Sequence, residues 1–256
     1  MDQKRLLKNV SVVLCRPRFP ENIGAAARAC RNMGMGGLVV VSPECLDEER
    51  MLRMATHKAA GLIKTMQVHD DLGKALAPFG YIAGTTARVG TIRRAFLSPR
   101  ESALEVLQHA PHNAVALLFG SEDRGLTNDE IRFCHQLVKI PTADFSSLNL
   151  AQAVMVMCYE IFCASFDPPE RRSSQLASSE ELELMYARVR DILVMISFIQ
   201  PENPEHWMMN IRRFCSRLGL QTSDVNLIMG ICRQVDWYSR HCYAKGKEER
   251  ENGIME

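Results

Sequence analysis

Over the first 166 residues, short apolar runs alternate with longer stretches of helical periodicity, and glycine, proline and small polar residues separate them. VSVVLC (10–15) is a β-branched strand pattern closed by the breaker-rich RPRFPENIG. An alanine-rich helix is predicted from Glu21 to Met33, where Gly34 stops it. LVVVS (38–42) does not alternate, so it reads as a strand buried on both faces. A helix near Asp47–His57 and a short strand at Met66–His69 follow. Asp70 or Asp71 then caps a helix running to Pro78. YIAGTT (81–86) is the next strand, and Ser98-Pro99 starts another helix with cap and first-turn proline in the right order. NAVALLFG (113–120) reads as a buried strand. TNDEIRFC (127–134) reads as a helix capped by Thr127 or Asn128, and LVKI (137–140) as the last strand. A long apolar helix begins in LNLAQAVMVMCYEIFCASF.

This alternation predicts an α/β fold with a mainly parallel sheet over residues 1–166. Residues 167–179 (DPPERRSSQLASS) are polar and proline/serine-rich, a linker. Beyond it only helical patterns occur, at Glu180–Ile199, Pro204–Leu218 and Thr222–Arg240. That predicts a small all-helical domain over 180–242, with a frayed mixed-charge tail at 243–256.

Composition adds exclusions. A hydrophobic content of 46% with 24% charged residues is that of an ordinary globular protein. The longest apolar runs, such as Ala114–Phe119 and Ile192–Ile196, fall far short of the roughly 20 residues of a membrane helix. The N-terminus lacks a small-residue cleavage pattern, so no signal peptide is expected. Nine cysteines without a CxxC pair sit mostly in apolar stretches (Cys30, Cys134, Cys158, Cys163, Cys215, Cys232), which predicts buried, reduced thiols in a cytoplasmic protein. No cysteine–histidine cluster has ligand spacing, so no metal is expected.

The net charge of +1 is uninformative, but arginines gather in loops and at element ends: Arg16 and Arg18; Arg88, Arg93 and Arg94; Arg171 and Arg172; Arg212, Arg213 and Arg217. Each group is either solvated surface or part of a phosphate-binding face.

Four strand-end loops are candidates for chemistry, because open α/β sheets place ligands there. In PENIGAAARACRNMG, Asn22 and Gly24 open a helix whose free N–H groups face a docked ligand, and Arg28 lies one turn on. GTTAR (84–88) is by itself an ordinary turn. In FGSEDRGLT (119–127), Gly120 permits close backbone approach, and Glu122 either closes the loop or contacts a ligand. In IPTADFSSLNLAQA (140–153), Ser146, Ser147 and Asn149 crowd a helix start, as caps or as a pocket lining. A dinucleotide fingerprint, a phosphate loop and a nucleophile elbow are all missing from the sequence.

Taken in order, ENIGAAARAC, FGSEDRGL and IPTADFSSLNLAQAV resemble the three motifs of the TrmH branch of the SPOUT RNA 2′-O-ribose methyltransferases. The helical extension, reading WMMNIRRFCSRLGL and GICRQVDWYSR, is similar to that of the TrmJ-type tRNA (cytidine/uridine-2′-O-)-methyltransferases. The resemblance implies a sheet whose C-terminal part forms a trefoil knot. It also implies S-adenosylmethionine as cofactor, with no metal, and a homodimer acting on a ribose 2′-hydroxyl of tRNA, at position 32 of the anticodon loop. By motif, the cofactor residues are Thr85, Thr86, Ala87, Gly120, Ile140, Ser146, Ser147 and Leu148, and the polar active-site residues are Asn22, Arg28, Glu122, Ser147 and Asn149. Arg28 is expected to bind the target phosphate and Glu122 to orient the loop or Arg28. Arg16, Arg18, Arg88, Arg212 and Arg213 are expected to meet RNA, the last two from an extension used for dimerisation and tRNA binding. Neither a membrane nor DNA is an expected partner. A ribosomal RNA 2′-O-methyltransferase and a non-catalytic knotted RNA-binding protein remain open as alternatives.

Overall fold

A computed structural model of the chain describes residues 3–87, 96–167, 175–200 and 204–252. Arg88, Arg93, Arg94, Arg171 and Arg172 lie outside these residues. The described chain divides into two compact units, Met1–Glu180 and Glu181–Glu256.

The first unit is a seven-stranded sheet in which every pairing is parallel. Its strands are β1 (Val10–Cys15), β2 (Gly37–Val41), β3 (Gln67–His69), β4 (Tyr81–Thr85), β5 (Phe96–Leu97), β6 (Val115–Phe119) and β7 (Gln136–Val138). They stand in the order β3-β2-β1-β6-β4-β7-β5. Thus β6 enters between β1 and β4, and β7 between β4 and β5. The late strands return between strands laid down earlier.

Successive residues of a strand feed opposite faces, so a sheet covered on both sides needs unbroken apolar runs. Val12, Leu14, Leu117 and Phe119 enter one core cluster, whereas Val13, Cys15, Ala116 and Leu118 enter the other. The first cluster lies under α2 (Pro20–Asn32), α3 (Glu48–Thr65), α5 (Pro99–His109) and α7 (Leu150–Ala164). The second lies under α4 (Leu72–Leu76) and α6 (Asn128–Ile131).

Most elements fall where the pattern predicts, and the differences have physical causes. A short helix, α1 (Gln3–Lys8), was not expected; its Leu6 and Leu7 are buried. β5, two residues long, also escapes a periodicity reading. Asp71, not Asp70, caps α4, and Thr127 caps α6 with Glu130 in a reciprocal capping box. The α6 helix is only four residues long, shorter than the predicted 127–134. The α3 helix passes through Thr56, held at φ 62 and ψ 165, and continues to Thr65, so the predicted end at His57 marks a kink instead of a terminus. A β-branched residue in that region is strained.

The linker is partly docked. Leu176 is buried in the first core cluster, its N–H donates to Asn113 Oδ1 at 2.8 Å, and the Ser179 N–H donates to the Phe79 carbonyl at 3.0 Å. The second unit holds α8 (Ser179–Met195, entering from residue 179), α9 (Pro204–Leu218) and α10 (Thr222–Asn252). The α10 helix runs well beyond Arg240, through most of the segment expected to fray. No helix among the described residues is long and apolar enough to cross a membrane.

Candidate active site

β6, β4 and β7 are neighbours in the sheet, so the loops leaving their C-terminal ends are neighbours too, although they are tens of residues apart in sequence. Those loops enclose a pocket of about 240 Å³. Its lining includes Thr85, Thr86 and Ala87 after β4, Gly120 and Glu122 after β6, and Ile140, Ser146, Ser147 and Leu148 after β7. All eight residues named by motif as the cofactor loops therefore face one space. The loops are pinned to the strands: the Thr86 N–H donates to the Val138 carbonyl at 2.9 Å, and the Thr85 hydroxyl to the Leu118 carbonyl at 3.4 Å.

Gly120 is required by packing. A Cβ there would stand 2.0 Å from the Gly125 carbonyl carbon and 2.2 Å from the Leu126 nitrogen. The loop folds back on itself at that point, with the Gly125 N–H donating to the Ser121 carbonyl at 2.8 Å. The Ser121 hydroxyl donates to Asp123 Oδ1 at 2.9 Å and holds that carboxyl below its ordinary range.

A polar chain links the first, second and third motifs. Asn149 Nδ2 donates to Asn22 Oδ1 at 2.9 Å, and Asn22 Nδ2 donates to Glu122 Oε1 at 2.7 Å. Glu122 also accepts the backbone N–H groups of Arg18 (2.9 Å) and Phe19 (3.4 Å). Asn22 is buried, so both of its amide ends need partners, and the other two motifs supply them. Asn149 uses its own Oδ1 to cap α7, accepting from the Ala151 and Gln152 N–H groups. The two accounts of this residue, cap and site, both hold.

The expectations for Gly24, Glu122, Arg212 and Cys163 are corrected. Gly24 does not present its backbone to a ligand: it is buried against α3, where a Cβ would stand 2.1 Å from the Met51 carbonyl oxygen. Glu122 orients the loop and not Arg28. Arg28 is exposed on α2, outside the pocket lining, with no hydrogen-bond or ion-pair partner among the described residues. Arg18 pairs with Glu44 at 3.2 Å and lies 3.7 Å from Asp123. Arg16 pairs with Glu130 at 3.0 Å. Arg212 is enclosed in the helical unit: it forks onto Glu183, with Nη2 2.7 Å from Oε2, and lies over the Tyr186 ring at 4.3 Å. A guanidinium spent in this way is unavailable to a phosphate face. Among the described residues the Arg213 side chain reaches only Met209 Sδ, at 3.8 Å. Cys163 and Cys45 are exposed, unlike the buried thiols Cys30, Cys134, Cys158, Cys215 and Cys232. Among the described residues no group of three or more His, Cys, Asp or Glu side chains is placed to hold a metal ion.

The pocket lies at the carboxyl edge of a parallel sheet, walled by the loop after β4 and by the loops of the second and third motifs. The chain belongs to the SpoU rRNA Methylase family, whose profile matches residues 9–159. Residues 180–250 match a second profile, the C-terminal domain of the tRNA methyltransferase TrmJ. Over 249 residues the chain is 36% identical to the tRNA (cytidine/uridine/adenosine-2′-O-)-methyltransferase TrmJ of Pseudomonas aeruginosa, covering 92% of this chain and 96% of that protein. It is 34% identical to the tRNA (cytidine/uridine-2′-O-)-methyltransferase TrmJ of Pectobacterium atrosepticum over 236 residues, covering 90% and 98%. The crystal structure of TrmJ from Z. mobilis ZM4 superposes with a TM-score of 0.77 at 25% identity, over 88% of this chain and 98% of that one. The α/β sheet with a helical extension is the architecture of this class.

Proposed function

We propose that this chain transfers a methyl group from S-adenosylmethionine to a ribose 2′-hydroxyl of tRNA, at a pyrimidine in position 32 of the anticodon loop, in the cytoplasm and as a homodimer. The observation that carries this reading is the convergence of Thr85–Ala87, Gly120, Ile140 and Ser146–Leu148 on one pocket, in a chain of an RNA methylase family. The TrmJ relatives, named for tRNA 2′-O-methylation, support the substrate.

The lining suits the cofactor. Backbone edges and small hydroxyls from three loops suit a purine and a ribose. When bound, the cofactor supplies an already electrophilic methyl group, so the protein's main task is to bring the ribose oxygen in line, which is worth several kcal/mol. Asn22, Glu122 and Asn149 hold the loops in a single register, and Ser147 lines the pocket with Glu122. Arg28, an unpaired guanidinium among the described residues, binds the target phosphate and offsets negative charge developing on the oxygen. Arg213 and the helical unit hold the body of the tRNA.

The test is methylation of total tRNA and of ribosomal RNA with labelled cofactor, followed by mapping of the modified nucleoside. Label in a tRNA anticodon-loop ribose supports the reading, and label confined to ribosomal RNA replaces the substrate. Arg28→Ala is expected to lose at least about tenfold in rate, roughly 1.4 kcal/mol. Full activity in that variant removes Arg28 from the chemistry. Sedimentation of the intact chain tests the dimer.

A further inference from the structure

Glu130 lies outside the three motifs, yet its carboxylate ties two of their loops together. It sits in α6 at 8% exposure and receives three donors. The Thr127 N–H reaches Oε2 at 2.7 Å, Arg16 Nη2 reaches Oε2 at 3.0 Å, and the Cys15 thiol reaches Oε1 at 3.0 Å. Burial pushes the Cys15 thiol up, so it remains protonated and donates. Arg16 is the first residue beyond β1 and is held at φ 52, the left-handed region, while its N–H donates to the Val41 carbonyl at 2.7 Å. Two and three residues further on, the Arg18 and Phe19 N–H groups reach Glu122, and Asn22 follows. The β1–α2 loop is therefore gripped at its start by Glu130 and at its end by Glu122. Both acids come from the one segment that follows β6.

We propose that Glu130 is a positioning residue for methyl transfer: through Arg16 it sets the register in which the Asn22–Glu122–Asn149 chain meets the pocket. This rests on the methyltransferase reading above. It also changes the part played by Arg16, whose guanidinium is turned onto a carboxylate at 37% side-chain exposure instead of standing free for RNA.

The experiment compares Arg16→Met, Glu130→Gln and the double variant in the full chain, with S-adenosylmethionine and tRNA at varied RNA concentration and salt. A positioning role lowers kcat at least about tenfold in each single variant, and leaves KM for tRNA and its salt dependence within about twofold. The double variant is then no slower than the slower single one, because the two residues act as a unit. Arg16→Lys, which keeps one donor, recovers part of kcat. Three results overturn the proposal: kcat unchanged in both variants, fully additive losses, or a raised KM at constant kcat with the salt slope reduced by about one, the mark of a phosphate contact. If Glu130→Gln does not fold, Arg16→Met alters a part-exposed side chain and carries the kcat and KM test alone. Wild-type protein without methyl transfer to tRNA would overturn the underlying reading and this inference with it. An active wild type with unaffected variants overturns this inference only.

Discussion

The two units hold together by different means. In the first, the strands are buried on both faces, and each polar group that matters is matched by a partner from another segment, as Asn22 is by Glu122 and Asn149. In the second, Phe198, Phe214, Leu227, Ile231, Trp237 and Tyr238 are each more than half exposed. Its small buried core, with Met185, Ile192, Met208 and Val225, is joined by charged pairs: Arg212 with Glu183, and Asp236 with both Arg188 and Arg240. A parallel sheet with two covered faces is self-sufficient, whereas so many large apolar side chains on a small helical unit mark an interaction surface. That difference agrees with the division of labour proposed above, chemistry in the first unit and dimerisation and tRNA holding in the second.

The sharpest way to break this contrast is a pair of truncations. Phe119→Ala, at 1% exposure in β6, is expected to cost about 3–5 kcal/mol in denaturant unfolding. Leu227→Ala, at 66% exposure, is expected to change stability by no more than about 0.5 kcal/mol. A large loss from Leu227→Ala would mean that the surface is covered in solution. Arg212→Met follows, at about 1.5–3 kcal/mol, because it strips hydrogen bonds between charged groups from a half-enclosed pair. Weaker RNA binding at an unchanged melting temperature would instead return Arg212 to the phosphate face. Gly120→Ala is expected to cost about 1–3 kcal/mol, since the added methyl meets backbone that cannot move aside. It should also abolish cofactor binding in calorimetry, and normal binding would show that the loop tolerates a shift. Thr56→Gly should gain about 1 kcal/mol by relieving the side-chain strain at the α3 kink, and a lower melting temperature would contradict that. The smallest effect is in acid. Hydrogen bonds from Arg240 and Arg188 hold the Asp236 carboxyl below its ordinary range. Its stabilisation is therefore complete above the unfolded value of about 4 and is lost as pH falls through the lower folded value. The melting temperatures of wild type and Asp236→Asn should converge there, and a constant gap would mean that the pairing is unimportant.

The sequence was most informative where one local signal dominates. The strands of VSVVLC and VALLF, the Ser98-Pro99 helix start and the Asn149 cap each depend on residues within a turn of one another. It was least informative where a partner far along the chain decides. Nothing around Arg212 announces Glu183, 29 residues away, and nothing around Gly24 announces the Met51 carbonyl. Glu130 read as part of a short helix, and its grip on Arg16 spans 114 residues. One signal was available there: a glutamate three residues after Thr127 is a capping-box pattern, and it marks a carboxylate already fixed in place.

The amino-acid order by itself determined the alternation of strand and helix and the change to an all-helical region after residue 179, because periodicity, caps and breakers act over a few residues. Only the tertiary structure decided that β6, β4 and β7 stand side by side, and so that three distant loops share one pocket. It also decided which arginines were free and which were spent on carboxylates. Strand order and ion pairing are set by what the whole chain packs against, and no local pattern carries that information.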